Sequence, residues 1–251
     1  MDELTPGDCI VPEWPAPAHV KALVTTRAGG VSEGPYATLN LGFATADTDA
    51  AVRANRARLE ALLPQAPRWL KQVHGARVVC ADGLEERPEA DGSVAHIRGT
   101  VCAILIADCL PVLFTNVSGT VVAAAHAGWR GLAAGVLDNT IADISRVGIS
   151  AHDLLAYIGP GIGASAFEVG DDVHQAFVGR DPKAAGAFKP HAAGKWLADL
   201  AALARAALAR CGVTRVYGGG LCTYSDPVRF YSHRRDRVPG RMAAVIWQSA
   251  R

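Results

Sequence analysis

The chain has 251 residues, half of them hydrophobic, and 25 Lys and Arg stand against 24 Asp and Glu for a formal charge of +1. Such apolar content, with 26 glycines spread along the chain, excludes disorder as the dominant state, and the balanced charge creates no global field to gather nucleic acid or an anionic membrane surface. No window approaches about 18 uninterrupted apolar residues, so no membrane-spanning helix is expected. Residues 1–14 carry Asp2, Glu3 and Asp8 and lack the basic and apolar stretches of a secretory signal, which makes the cytoplasm the expected location.

Residues 22–26 form a short apolar and β-branched run that reads as a strand, followed by a Gly-rich turn at 26–32 and a Gly34-Pro35 loop. Residues 47–63 place Ala50, Val52, Leu59, Leu62 and Leu63 at helical spacing and stop at Pro64. Residues 68–73 and 77–80 read as strand fragments around Gly75, residues 101–106 as a buried strand, and 111–117 with 120–125 as a hairpin across Ser118-Gly119. From 132 to 147 the period turns helical through Val136, Leu137, Thr140, Ile141, Ile144 and Val147, with Gly148 as C-cap. A strand at 154–158 runs into Gly159-Pro160-Gly161-Ile162-Gly163, whose spacing is not that of a dinucleotide fingerprint. A helix is predicted over 195–211, with Trp196, Leu200, Leu203, Ala207, Leu208 and Cys211 on one face and Gly212 closing it. Residues 213–217 and 241–247 are the last predicted strands. The pattern predicts one mixed α/β domain, with residues 1–20 as an N-terminal extension.

Six cysteines (Cys9, Cys80, Cys102, Cys109, Cys211 and Cys222) include no Cys-x-x-Cys pair, and a chain this long does not need disulfides to fold. Three segments instead put a metal-ligand or nucleophile type at a strand end, where functional residues concentrate. His74 closes Lys-Gln-Val-His at 71–74, Cys109 lies in Ala-Asp-Cys-Leu-Pro at 107–111, and His126 lies in Ala-His-Ala-Gly-Trp-Arg-Gly at 125–131. Counted from the Ser118-Gly119 turn, Cys109 and His126 leave the same edge of the predicted hairpin nearly level. Two His and one Cys suit a three-coordinate zinc site with an open position. They equally suit a Cys109 nucleophile with His126 as its base, and a buried Cys beside ordinary polar His side chains is the plain alternative. Arg27, in its Gly-rich turn, could present a cation and backbone N–H groups to an anion. Trp129-Arg130 could stack a planar ring or bind phosphate, or simply pack a helix start. The polar run at 231–236 reads as a solvated loop.

Taken together, these segments resemble the YfiH-like family, also called the laccase-domain or multicopper polyphenol oxidase family and linked to purine nucleoside phosphorylase activity. The likeness runs from about residue 22 to 247 and is carried by the segments at 25–32, 39–42, 71–74, 107–111, 125–131, 158–162, 167–169, 199–200, 221–223 and 230–236. The resemblance implies a layered α/β/β/α sandwich with mixed sheets. It also implies zinc (copper being chemically allowed) on His74, Cys109 and His126, with purine nucleosides and phosphate as partners. Phosphorolysis of adenosine, inosine and methylthioadenosine to base and ribose 1-phosphate is the implied reaction, together with adenosine deamination. On the motif positions, Glu168 is the expected proton shuttle, and Arg27, Asn40, Lys71, Arg130 and His233 are expected to bind substrate. The distant likeness to Cys–His deamidases keeps a thiol hydrolase open, as does a role in editing peptidoglycan precursors, whether catalytic or as a binding partner. A laccase proper is disfavoured, because none of the eight His forms a His-x-His pair and the two Met are Met1 and Met242. Oligomeric state is left unset.

Overall fold

A computed structural model of the chain describes residues 4–250. The N-terminal segment adds β1 (Cys9–Ile10) to the edge of β2 (Val20–Thr25), with Cys9 opposite Thr25. Helix α1 (Asp49–Glu60) is capped by Thr48, whose hydroxyl accepts from the Ala51 N–H, and it buries Val52 and Leu59. Strands β3 (Val78–Cys80), β4 (Gly92–Ala95), β5 (Cys102–Ile106), β6 (Leu110–Asn116) and β7 (Val122–Ala127) follow. Every residue of β6 and β7 is buried, which explains why this hairpin reads as continuous apolar runs rather than as an alternation.

The helix expected over 132–147 is two helices, α2 (Trp129–Ala134) and α3 (Val136–Ser145). They break at Gly135, whose φ of 93° ends α2 in the left-handed region. After β8 (Leu154–Ile158), the sequence pattern fails over a small satellite. Strand β9 (Glu168–Gly170), helix α4 (Asp171–Val178), β10 (Phe188–Ala192) and β11 (Lys195–Ala198) are short, and β9, β10 and β11 pair as an antiparallel sheet. The helix expected from residue 195 therefore starts later, as α5 (Leu200–Arg210), because the Asp199 carboxylate caps it by accepting from the Ala202 N–H at 2.8 Å. Strand β12 (Arg215–Gly218), the short helix α6 (His233–Asp236) and β13 (Met242–Gln248) complete the chain. The strand expected at 68–73 is reduced to isolated bridges, Arg68 to Cys102 and Lys71 to Glu89.

The architecture is the layered α/β/β/α sandwich. One sheet has the order β1-β2-β13-β5 and the other β12-β8-β6-β7-β4-β3. Alternate residues of β13 separate the layers. Met242, Ala244 and Ile246 face Leu113, Val122 and Ala124 of the larger sheet, whereas Ala243, Val245 and Trp247 join Leu59 of α1 on the outer side. The opposite face of the larger sheet, with Val112, Phe114 and Ala123, is covered by Leu137 and Ile141 of α3 and by Leu203 and Leu208 of α5. Each such large apolar side chain contributes roughly 1.5–3 kcal/mol on burial. Among the described residues no helix is long and apolar enough to cross a membrane.

Strands β5 and β6 are consecutive in sequence but lie in different sheets. Residues 107–109 are thus the step between layers, and Asp108 makes it with a φ of 96°. That step puts Cys109 at the rim where β6 begins and β7 ends.

Candidate functional site

Across the hairpin, Pro111 pairs with His126 and Leu110 with Ala127, so one more step brings Cys109 against Gly128. A Cβ on Gly128 would stand 2.6 Å from Cys109 Sγ and 3.4 Å from His74 Cδ2, and one on Gly131 would stand 2.7 Å from the Gly75 carbonyl oxygen. The two glycines in Gly-Trp-Arg-Gly are therefore required by close approach: the start of α2 lies directly on the Cys109 side chain and on the turn that bears His74.

That turn is held by Asp91, immediately before β4. The backbone N–H of His74, at a φ of 59°, donates to Asp91 Oδ1 at 3.0 Å, and those of Val73 and Gly75 donate to Oδ2 at 3.1 and 2.7 Å. His126 Nδ1 lies 2.8 Å from Oδ1, and the His126 backbone N–H donates to the Asp91 carbonyl at 2.7 Å. Burial pushes the Asp91 carboxyl up, but the His126 ring and the N–H groups of Gly75 and Val73 outweigh it and hold it below the ordinary range.

The structure brings His74, Cys109 and His126 together, their ligand atoms all within 4.8 Å of one another. The two rings meet edge to face at a centroid separation of 4.8 Å. Burial alone would raise the Cys109 thiol, but the flanking His126 and His74 rings reverse that and favour the thiolate. Sequence spacing alone left a metal, a nucleophile and an inert core Cys open; the thiolate preference and the convergence of three donors do not fit an inert core.

The cluster opens into a cavity of about 690 Å³. Its polar lining includes Lys71, Arg87, Arg130, His233, Arg234 and Arg241, and its apolar lining includes Trp129, Ile162, Phe167 and Leu200. Of the expected substrate residues, Lys71, Arg130 and His233 line the cavity. Lys71 is paired with Glu89 at 2.8 Å, and the Arg130 guanidinium lies 4.4 Å from the Trp129 ring centre. Arg27, Asn40 and Glu168 are not among the lining residues. Arg27 is committed to the carbonyls of Ala37 and Pro227 and lies over the Tyr231 ring. Asn40 is fully buried, and its Oδ1 accepts from the N–H groups of Gly42 and Arg241 at 3.0 and 2.8 Å, so it shapes the wall from behind. The Glu168 carboxylate faces His191 at 3.5 Å.

Residues 21–249 match the family described as multi-copper polyphenol oxidoreductase laccase. The chain belongs to that family. Within it, the chain is 51% identical over 239 residues to a Pseudomonas aeruginosa protein named purine nucleoside phosphorylase, covering 95% of this chain and 97% of that one. It is 50% identical over 241 residues to the Escherichia coli purine nucleoside phosphorylase YfiH, covering 95% and 98%. The crystal structure of the Neisseria meningitidis protein NMB0706, 50% identical, superposes with a TM-score of 0.93 over 97% of this chain and all of that one.

Several residues that shape the site escape the sequence reading. Asp108 ties the layer step to the C-terminal loop: its Oδ1 accepts from Thr223 Oγ1 at 2.6 Å and its Oδ2 from the Arg234 N–H at 2.7 Å. Arg235 fixes that loop from within by donating to the carbonyls of Thr223, Tyr224 and Phe230, so the polar run at 231–236 is an organised wall rather than a solvated loop. Gln72 trades two 2.8 Å hydrogen bonds with the Leu105 backbone, fixing the 71–74 segment to the edge of β5. The available signal was position: Asp108 adjoins Cys109, and Gln72 lies within the His74 motif. Asp91 carried no motif at all.

Proposed function

We propose that the protein is a zinc-dependent purine nucleoside phosphorylase that converts adenosine, inosine and methylthioadenosine to the free base and ribose 1-phosphate, with adenosine deamination as a second activity. The observation that carries this reading is the His74–Cys109–His126 cluster opening into a cavity whose lining combines several cationic side chains with an apolar wall. The names of the relatives support the same reaction class.

The donor set fits zinc. Two imidazoles and a thiol that favours its thiolate are borderline-soft ligands, and three protein donors are the pattern of catalytic rather than structural zinc sites. Among the described residues this is the single group of three or more His, Cys, Asp or Glu side chains that could hold a metal ion, which favours one metal centre over the several coppers of a laccase. Bound there, zinc supplies a Lewis acid that activates water or polarises a substrate oxygen at neutral pH.

The chain's own residues account for the remaining requirements. Phosphorolysis joins a phosphate oxygen to C1′ of the ribose while the bond from C1′ to the base nitrogen breaks, and the departing base takes up a proton. Arg130, Arg234 and Arg241 are suited to hold the phosphate, since guanidinium groups present paired N–H donors to phosphate oxygens. Arg234 and Arg241 are held in place by donating to the carbonyls of Glu168, Pro239 and Gly240. As the glycosidic bond loosens, negative charge moves onto the departing base and positive charge grows on the ribose, where the held phosphate anion stabilises it. Trp129, Ile162, Phe167 and Leu200 offer a purine ring an apolar wall, and His233 a partner for the ribose hydroxyls.

The test is purified protein with inosine, with and without phosphate, the products separated by chromatography. Hypoxanthine and ribose 1-phosphate are expected only with phosphate, and from Arg130→Ala and Arg234→Ala only at raised phosphate KM. Release of hypoxanthine without phosphate would identify a hydrolase instead. A second reading, a Cys109–His126 thiol hydrolase, is favoured by the thiolate preference of Cys109. It requires activity in the metal-free protein that iodoacetamide abolishes.

A further inference from the structure

We infer that Asp91 is a positioning residue that builds the metal-ligating cluster, by locking the tautomer of His126 and the turn of His74 with one carboxylate. The inference rests on the metal reading of the cluster. Its geometry stands on hydrogen bonds alone.

The Asp91 side chain is 1% exposed. Each carboxylate oxygen takes two donors. Oδ1 receives the His74 N–H and the His126 ring, and Oδ2 receives the Val73 and Gly75 N–H groups. Four lone-pair sites thus meet four donors, which is the full acceptor capacity of an ionised carboxylate. Three of the donors are backbone amides with no other protonation state. The carboxylate accepts from the ring as well, so His126 Nδ1 carries the proton and Nε2 is the nitrogen on Cys109's side of the cluster that would ligate the metal. A histidine that donates one ring nitrogen to a carboxylate and ligates through the other is the arrangement that fixes ring orientation in metal sites.

The same oxygens gather three successive backbone N–H groups around His74, whose left-handed φ of 59° is uncommon for a residue with a side chain. The anion offsets the cost of that conformation by satisfying amides that the turn leaves without strand partners. One buried group therefore sets both histidines, which arrive from opposite ends of the sequence segment 74–126 and from different elements.

An asparagine is the sharpest probe because it keeps shape and size while turning one acceptor into a donor. If its amide nitrogen takes the Oδ2 place, it meets the Val73 and Gly75 N–H groups head on. If it takes the Oδ1 place, it meets the His74 N–H and forces His126 to accept at Nδ1, which moves the ring proton to Nε2 and removes the ligating lone pair. Asp91→Asn should accordingly lower zinc affinity about 10- to 100-fold, measured by competition with a chromophoric chelator and without substrate. Wild-type affinity in a folded Asp91→Asn protein would overturn the inference.

Because that variant could fail to fold, the wild-type protein supplies a second readout. Nitrogen-resolved NMR of the histidine rings in the metal-free and zinc-loaded states should show the His126 proton on Nδ1 in both, protected from exchange. A His126 ring whose Nδ1 lacks the proton in either state would overturn the inference. Neither readout uses a nucleoside, so absence of phosphorolysis would defeat the proposed reaction and leave Asp91's role standing. A wild-type chain that binds no zinc would defeat the metal reading, while the ring tautomer would still decide what Asp91 does.

Discussion

Gly128→Ala places a single methyl against the centre of the site and leaves the rest of the chain untouched. The Gly128 backbone, at φ −68° and ψ 161°, is open to any residue, so the effect is steric alone. The added Cβ would lie 2.6 Å from Cys109 Sγ, whereas non-bonded carbon contacts settle near about 3.5–4.0 Å. Roughly 1 Å of separation must be found, several times the ~0.2 Å tolerance of metal–ligand distances. Relief cannot come from moving Gly128, because the first turn of α2 is seated on the Gly75 carbonyl through Gly131. Overpacking of this kind costs about 1–3 kcal/mol, which lowers Tm by about 2–12 °C at this chain length. A misplacement of about 1 Å at a reacting centre costs on the order of 100-fold in rate. Zinc competition, calorimetry and phosphorolysis should therefore all move together. Gly186→Ala, where nothing lies within 4 Å of the added carbon, is the matched control and should change none of them. A Gly128→Ala protein with wild-type zinc affinity and turnover would refute the placement of Cys109 at the centre.

Three further outcomes are expected. Zinc at about 1,000 times its Kd should stabilise the chain by about 4.1 kcal/mol, raising Tm by roughly 8–16 °C; Cys109→Ser should abolish that rise, and a rise that persists in the variant would move the metal elsewhere. Glu168→Gln should change kcat by less than about threefold, against the roughly 100-fold or greater loss expected on removing a general acid or base, because its carboxylate faces His191; a loss of that size would instead support it as the proton shuttle. Burial pushes Asp236 up, but Arg235 and the Ser232 N–H hold it below its ordinary 3.8; its stabilisation is thus complete above that pH and drains away as pH falls through the lowered folded value. The stability gap between wild type and Asp236→Asn should shrink correspondingly in acid, and a gap that stays constant would contradict the assignment.

What the sequence disclosed was mostly local. The hairpin across Ser118-Gly119 and the ligand types at its open end are fixed by neighbours in the chain, so counting residues from the turn is enough to place Cys109 and His126 level. His74 was marked by its strand end, but its meeting with the other two depends on β3 and β4 pairing beyond β7, which no local pattern shows. Asp91 was illegible for a physical reason: it works through four tertiary hydrogen bonds, and an acid in a loop before a short strand has no periodicity to betray it. Arg27 and Asn40 lie in well-matched motifs, yet their hydrogen bonds go to the scaffold. Motif membership does not distinguish a residue that touches ligand from one that supports the wall. The predicted helix from 195 failed because Trp196 and Leu200 fall at helical spacing by accident, with Trp196 on a strand, where its indole donates to Asp171 at 2.7 Å. The satellite of β9, α4, β10 and β11 was missed because its strands are short, and most of β10 is exposed, so neither strand nor helix period has room to show.

The central claim is that phosphorolysis depends on one metal held by His74, Cys109 and His126. A titration of metal-free protein with zinc, following bound metal and ribose 1-phosphate released from inosine in phosphate buffer, tests it most directly. The two curves should rise together and break at one zinc per chain. Full turnover in the metal-free protein, or one bound zinc with no turnover of any purine nucleoside, would contradict it.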